Sequence, residues 1–254
     1  MRWGEGDVHR PTLSEGQLRR SLATADPEPV IALLEPMVTT ERRDRIRAVL
    51  ARRLDSVTVV LDALHDPHNG AAVVRSCDAF GVARIHALER TEPFAASGAV
   101  AKGAQHWIEV VGHATAAELV AALDRSGHQL VGAHPAGSLE PADLAAIDRV
   151  ALVLGNEHAG IGVDLLEACV QRVQVPMRGF VESLNLSVTA AVLLAAATTG
   201  RAGDLPARRA RRLYAAALVH SVDRSPEILA ARGILKELHP SKISRRSPTE
   251  EHED

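Results

Sequence analysis

The run from Val57 to Leu64, Val-Thr-Val-Val-Leu-Asp-Ala-Leu, is rich in β-branched residues and almost continuously apolar. A strand reads this way when both of its faces are covered, as in a parallel sheet. The chain beyond it keeps alternating as such a sheet requires. After a turn cluster, His65-Asp-Pro-His-Asn-Gly, residues 71–80 read as a helix stopped by Gly81. Further strands are expected over 82–88, 107–111, 129–133, 149–154 and 172–175. Helices are expected over 116–126, 141–147 and 163–170, and a loop with a short helix over 94–105. The fold class is therefore α/β, a mostly parallel sheet with helices on both faces. Ligands of such sheets lie beyond the carboxyl ends of the strands. Three polar, glycine-bearing stretches fall on that rim: 65–70, 155–162 and 177–185.

The third stretch is the most unusual. Glu182, Ser183, Asn185 and Ser187 interleave with Leu184 and Leu186 just before an apolar helix over 186–197. Asn and Ser at a helix start accept hydrogen bonds from the free N–H groups of the first turn, and the same N–H groups suit a ligand. One cap suffices to start a helix, so four polar side chains within six positions exceed what capping uses. The Asn185-Leu-Ser triplet formally fits a glycosylation acceptor, but no signal pattern directs the chain to a secretory compartment. The run 186–197 is too short to span a bilayer. Cys77 and Cys169 stand far apart without CxxC spacing, which argues against zinc or a disulfide framework and suits two core thiols in a reducing, cytoplasmic setting.

Charge is divided along the chain. Residues 55–200 hold 8 Lys and Arg against 16 Asp and Glu, whereas the two ends together hold 21 against 16. The basic residues of the ends cluster over 42–53 and 208–212, and local clusters rather than totals attract polyanions. From Thr39 or Thr40, either of them a good N-cap, an apolar stripe of Ile46, Val49, Leu50 and Leu54 alternates with Arg42, Arg43, Arg45, Arg47, Arg52 and Arg53. This predicts an amphipathic helix with one basic face. The expected organisation is an N-terminal arm over 1–38, partly disordered but with a short helix near 29–37, and the basic helix over 39–54. A catalytic α/β domain follows over 55–200, then a C-terminal helical extension over 201–240 and a disordered charged tail over 241–254.

Conventional nucleotide fingerprints are missing. Gly160-Ile-Gly162 lacks the third glycine of the dinucleotide signature, and Gly155 is not followed by Gly-Lys-Ser/Thr. What the rim loops resemble is the three-motif signature of the SpoU branch of the SPOUT RNA ribose 2'-O-methyltransferases. The first motif runs from His65-Asp-Pro-His-Asn-Gly to Phe80-Gly-Val, the second is Leu152-Val-Leu-Gly-Asn-Glu-His-Ala-Gly-Ile, and the third runs from Val175-Pro-Met-Arg-Gly-Phe to Asn185-Leu-Ser-Val. All three occur in the family's order. Within the branch the chain most resembles the TrmH-type tRNA (guanosine-18) 2'-O-methyltransferases, which also carry a basic helix before the first motif.

That resemblance implies properties the residues alone do not give. It implies a C-terminal deep trefoil knot, a homodimer, tRNA as substrate and S-adenosylmethionine as methyl donor, with no metal. Carried over residue by residue, the donor contacts are Ala133, Gly155, Val175, Met177, Leu184 and Leu186. The catalytic group is Arg75 with Asn69, Glu157, Ser183 and Asn185, and the tRNA contacts are Arg42, Arg45 and Arg53. Ala133 stands where relatives often have Thr, and Asp66 where they usually have Lys. Arginine with a pKa above about 12 is a poor base at pH 7. Arg75 is therefore expected to grip phosphate and stabilise the developing alkoxide, with Asn69, Glu157, Ser183 and Asn185 fixing it and the ribose. On helix spacing alone, an i, i+3 pair with Asp78 is the competing use of Arg75. Ribosomal RNA as substrate, or a knotted RNA-binding protein without catalysis, are the alternatives that stay open.

Overall fold

The computed structural model describes residues 22, 25–64, 66–90, 94, 103–156, 159–181 and 183–234. In chain order the elements are α1 (Pro27–Leu34), α2 (Thr40–Leu50), β1 (Val57–Asp62), α3 (Pro67–Ala79), β2 (Arg84–Leu88) and β3 (Glu109–His113). They continue with α4 (Ala116–Arg125), β4 (Gln129–Ala133), β5 (Val150–Leu154), α5 (Val163–Ala168), β6 (Gln171–Val173), α6 (Leu186–Thr198), α7 (Ala207–Val219) and α8 (Ser225–Ala231). Short 3-10 helices lie at Glu35–Met37, Ala104–His106 and Pro141–Ala146.

The six strands form one sheet in the order β3-β2-β1-β5-β4-β6, and every pairing is parallel. All six residues of β1 are buried, with Val59 in register with Ile85 on one side and Leu152 on the other. Its unbroken apolar run is explained by that central position, since alternate side chains enter two different cores. On one face Val57, Val59 and Leu61 pack with Val73 and Cys77 of α3 and Leu193 of α6. On the other, Val60 meets Leu119 and Leu123 of α4 and Leu165 of α5. The α/β class with helices on both faces stands as expected.

A third apolar cluster lies apart from the sheet. Val30 and Leu34 of α1 and Ile46 of α2 pack with Tyr214 and Leu218 of α7 and Leu229 of α8. The helical part of the N-terminal region is thus folded against the C-terminal extension. Arg47 pairs with Glu35, the Tyr214 hydroxyl donates to Glu35 at 2.7 Å, and Arg211 pairs with Glu28. Residues 1–21 and 235–254, where an arm and a tail were expected, lie outside the described residues.

Of the boundaries that differ from the sequence expectation, three have a clear local reason. The cluster expected as a turn before residue 71 is instead the first turn of α3. Asp66 is its N-cap, Oδ1 accepting from His68 N at 2.8 Å, and Pro67 occupies the first helical position, where its missing N–H costs nothing. Strand β3 begins at Glu109 rather than Trp107, because Trp107 closes the preceding 3-10 turn. Helix α2 ends at Leu50, so Arg53 is no longer on its basic face.

Candidate active site

The carboxyl ends of β4, β5 and β6 open into a cleft of about 570 Å³. Ala133 comes to it from the end of β4 and Gly155 from the end of β5. Val175 and Met177 follow β6, and Leu184 and Leu186 lie at the start of α6. The six residues expected to hold the donor therefore line a single cleft, together with Ser183 and Asn185. Its volume lies within the roughly 300–1,000 Å³ of small-molecule sites.

The loop after β5 is shaped for close backbone approach. Asn156 and Gly160 exchange two backbone hydrogen bonds, each 2.9 Å. A Cβ at Gly155 would fall 2.1 Å from the Gly160 carbonyl carbon, so only glycine fits. Asn156 fastens the loop to the end of β1 by donating from Nδ2 to Ala63 O at 3.0 Å, and its Oδ1 accepts from Ala159 N at 3.3 Å. Below it, Gly162 N donates to Asp62 Oδ2 at 2.7 Å. Arg90 bridges Asp62 and Asp164, donating to Asp62 Oδ1 at 2.7 Å and to Asp164 Oδ2 at 3.0 Å. The hydrogen bond from Arg90 lowers the Asp164 carboxyl below the ordinary range. Strand β1, this loop and the start of α5 are thereby clamped together.

Asn185 caps α6. Its Oδ1 accepts from Ser187 N at 2.8 Å and from Ser187 Oγ at 2.6 Å, while its Nδ2 donates to Asn69 Oδ1 at 3.3 Å. Asn69 sits in the first turn of α3, so the first and third sequence motifs meet through two amides. Arg75 is exposed, lies on the same helix and does not line the cleft. Asp78, its partner in the competing reading, is ion-paired with Arg53. Glu157 falls outside the described residues.

The basic helix divides. Arg42 and Arg45 are exposed. Arg53 is 1% exposed, ion-paired with Asp78, and donates from Nη1 to Val82 O at 3.0 Å. An RNA phosphate cannot reach a guanidinium in that position, so the expected tRNA contact at Arg53 is corrected to an internal one. Within the second basic cluster, Arg209 pairs with Asp55 and Glu109, and burial pulls its pKa down to about 10. Arg211 pairs with Glu28.

Among the polar cleft residues to which the sequence reasoning gave no role are His134, Asn156 and Thr189. His134 follows β4 immediately, with Nδ1 accepting from Ala136 N at 3.1 Å. The rule that ligands gather beyond strand carboxyl ends points to it, whereas its sequence surroundings, Ala-His-Pro-Ala, carry no further signal.

Residues 56–195 match the family model described as the SpoU rRNA Methylase family. The tRNA (guanosine(18)-2'-O)-methyltransferase of Escherichia coli K12 is 34% identical over 156 residues, which cover 60% of this chain and 67% of that protein. Among solved structures, the A. aeolicus TrmH/SpoU tRNA modifying enzyme aligns with a TM-score of 0.65 at 23% identity, covering 72% of this chain and 98% of that one. The SpoU methyltransferase AviRb from Streptomyces viridochromogenes, in complex with the cofactor AdoMet, aligns at 26% identity with a TM-score of 0.51, covering 61% and 62%.

Proposed function

The chain belongs to the SpoU rRNA Methylase family, and from that premise we propose that it 2'-O-methylates the ribose of guanosine-18 in tRNA. It is an S-adenosylmethionine-dependent RNA methyltransferase. The observation that carries the assignment of the donor site is the convergence of Ala133, Gly155, Val175, Met177, Leu184 and Leu186 on one cleft.

The fit of the donor rests on Gly155, whose missing side chain lets the loop after β5 close on Gly160 at the edge of the cleft, and on an apolar lining suited to a heterocycle and a thioether. When bound, S-adenosylmethionine supplies a methyl group on a sulfonium, whose departure leaves a neutral thioether. The chain's own residues must then hold the ribose hydroxyl in place, stabilise charge on its oxygen and exclude water. We assign the charge to Arg75, which is exposed and does not line the donor cleft. Asn69 and Asn185, hydrogen-bonded to each other, orient the ribose. Ser183 and Glu157 complete this set in our reading. The hydroxyl proton leaves to an RNA phosphate or to water rather than to a guanidinium.

We also take the chain between β6 and α6 to close a deep trefoil knot. In support, Leu139 N donates to Arg172 O at 3.0 Å and Gln174 N to Leu139 O at 2.9 Å, laying the segment after β4 across β6. A homodimer is the second part of the reading. Val188 and Val192 of α6 are 46% and 37% exposed, and Phe180 and Val181 before it are more exposed still, an apolar surface that a second copy would cover. Residues 55–200 then form the catalytic domain, and the helices before and after it an RNA-facing annex. Among the described residues no helix is long and apolar enough to cross a membrane; with tRNA as the substrate, we take the protein to be cytoplasmic. The family description favours ribosomal RNA as the second reading. Tritiated methyl transfer to bulk tRNA and to ribosomal RNA separates the two. Label in tRNA is expected, and label confined to ribosomal RNA overturns the tRNA assignment.

A further inference from the structure

We propose that a small cavity beside the basic helix receives one unpaired nucleobase of the RNA substrate, stacked on Trp107, with its flanking phosphates held by Arg42 and Arg45. The proposal rests on reading the chain as an RNA methyltransferase, and adds to it a place where the RNA is gripped away from the reaction. The cavity measures about 180 Å³ and shares no residue with the donor cleft. Ile46, Leu213 and Ala217 give it an apolar floor, the Trp107 indole a flat wall, and Arg42 and Arg45 a cationic rim.

Size and chemistry together select the occupant. A cavity of about 150 Å³ accepts a benzene-sized ring, so this one suits a single heterocycle and is too small for the methyl donor. A bare phosphate would need neither an indole nor an apolar floor, and an apolar ligand would have no use for two arginines. The remaining match is a base with phosphates beside it. The Arg42 guanidinium already lies 5.6 Å from the centre of the Trp107 ring, as a cation does on an aromatic face. Otherwise it is held through Nε by one exposed hydrogen bond, to Ser221 Oγ at 3.3 Å. A base that takes over the indole face releases this guanidinium to the neighbouring phosphate. Arg53 and Asp78, also in the wall, neutralise each other, which leaves the rim positive. The chain has 2 Trp in 254 residues, and the one placed here joins an aromatic face to cations in the combination that binds single-stranded RNA.

The competing account of Trp107 is packing, since it is partly buried against the helical cluster and meets the rings of His106 and His220, so the test needs a readout that packing does not move. In a Trp3→Phe background the indole emission comes from Trp107 alone. Titration with an unmodified tRNA transcript is expected to quench it saturably. Trp107→Leu, which keeps apolar bulk, should raise the KM for tRNA about tenfold, the order of one lost base stack. The kcat and the donor Kd measured by calorimetry should stay within about twofold. Trp107→Phe, which restores a ring face, should recover most of the loss. Unquenched emission at saturating tRNA, or a Leu variant with the wild-type KM, overturns the proposal while leaving the methyltransferase reading intact. Saturable quenching by tRNA in a protein that transfers no methyl group would do the reverse. Should Trp107→Leu fail to fold, the emission titration decides alone.

Discussion

Asn185 and Asn69 face each other across 3.3 Å, amide to amide, 116 residues apart in sequence. One caps α6 at the rim of the donor cleft, and the other lies in the first turn of the helix that carries Arg75. This contact ties the donor side of the site to the side assigned to the ribose.

Asn185→Ala removes both the α6 cap and this tie. Loss of an N-cap costs about 1 kcal/mol, so the thermal midpoint should fall by only a few degrees. Methyl transfer should fall much further, by at least about tenfold. Asn185→Ser, able to cap but too short for the amide contact, should restore stability without activity. A Ser variant with wild-type kcat would show that only the cap matters.

Arg75→Ala should abolish methyl transfer and leave donor affinity near wild type, because Arg75 does not line the donor cleft. Calorimetry with S-adenosylmethionine is the check. Donor binding lost together with activity would overturn the role assigned to Arg75.

At Gly155 the constraint is steric. A Cβ there meets the Gly160 backbone at 2.1 Å, and backbone cannot swing aside as a flexible side chain can. Overpacking of this kind costs about 1–3 kcal/mol, so Gly155→Ala should weaken donor binding by about fivefold to a hundredfold as the loop is forced open. Retained affinity would mean that the loop has slack the geometry does not show.

Two buried imidazoles set the acid limit of the fold. Burial, chiefly, pulls His86 down to about 3 and His128 down to about 4. His128 donates from Nε2 to Asp55 O at 2.9 Å and faces Ser126 Oγ through Nδ1 at 2.8 Å. Both rings stay neutral in the folded protein, whereas in the unfolded chain they take up protons below about pH 6.5. Their contribution is therefore intact above pH 6.5 and lost progressively as the pH falls toward 4. Between pH 7.5 and 5.5 the loss is about 2–3 kcal/mol for the pair. Urea denaturation should show it, and His128→Gln should roughly halve the slope. A stability flat over that range would contradict the burial argument.

Much of this was readable in the chain. The unbroken run of β1 and the Asn185 cap announce themselves through short-range chemistry, and the residues proposed to hold the donor could be picked out because a family pattern marks them. Where reading failed, a local signal had two meanings. Asp66-Pro67-His68-Asn69-Gly70 has turn chemistry, yet Asp followed by Pro is equally a helix start, and only the covering α6 decides between them. Arg53 continues the spacing of the basic helix on paper. The helix stops at Leu50, and the next three residues turn Arg53 inward toward Val82 O and Asp78. The packing of α1 on α7 joins segments about 180 residues apart, beyond any periodicity.

The correction at Arg53 changes what the basic residues should do when removed. Residues 55–200 carry twice as many acidic as basic side chains, 16 against 8, so RNA must be attracted by the ends. With Arg53 internal and Arg47, Arg209 and Arg211 in ion pairs, Arg42 and Arg45 are the exposed arginines aligned with the small cavity. Replacing both by Ala should weaken tRNA binding and reduce the slope of log K against log salt by about two phosphate contacts. Donor affinity should be unchanged. Arg53→Ala should behave differently. It removes a buried guanidinium from Asp78, whose side chain is 35% exposed, costs about 1–3 kcal/mol of stability, and leaves the salt slope of the folded fraction as in wild type. The two effects are read separately, by filter binding across a salt series and by urea denaturation. A flattened salt slope in Arg53→Ala with undiminished stability would return that residue to the RNA surface.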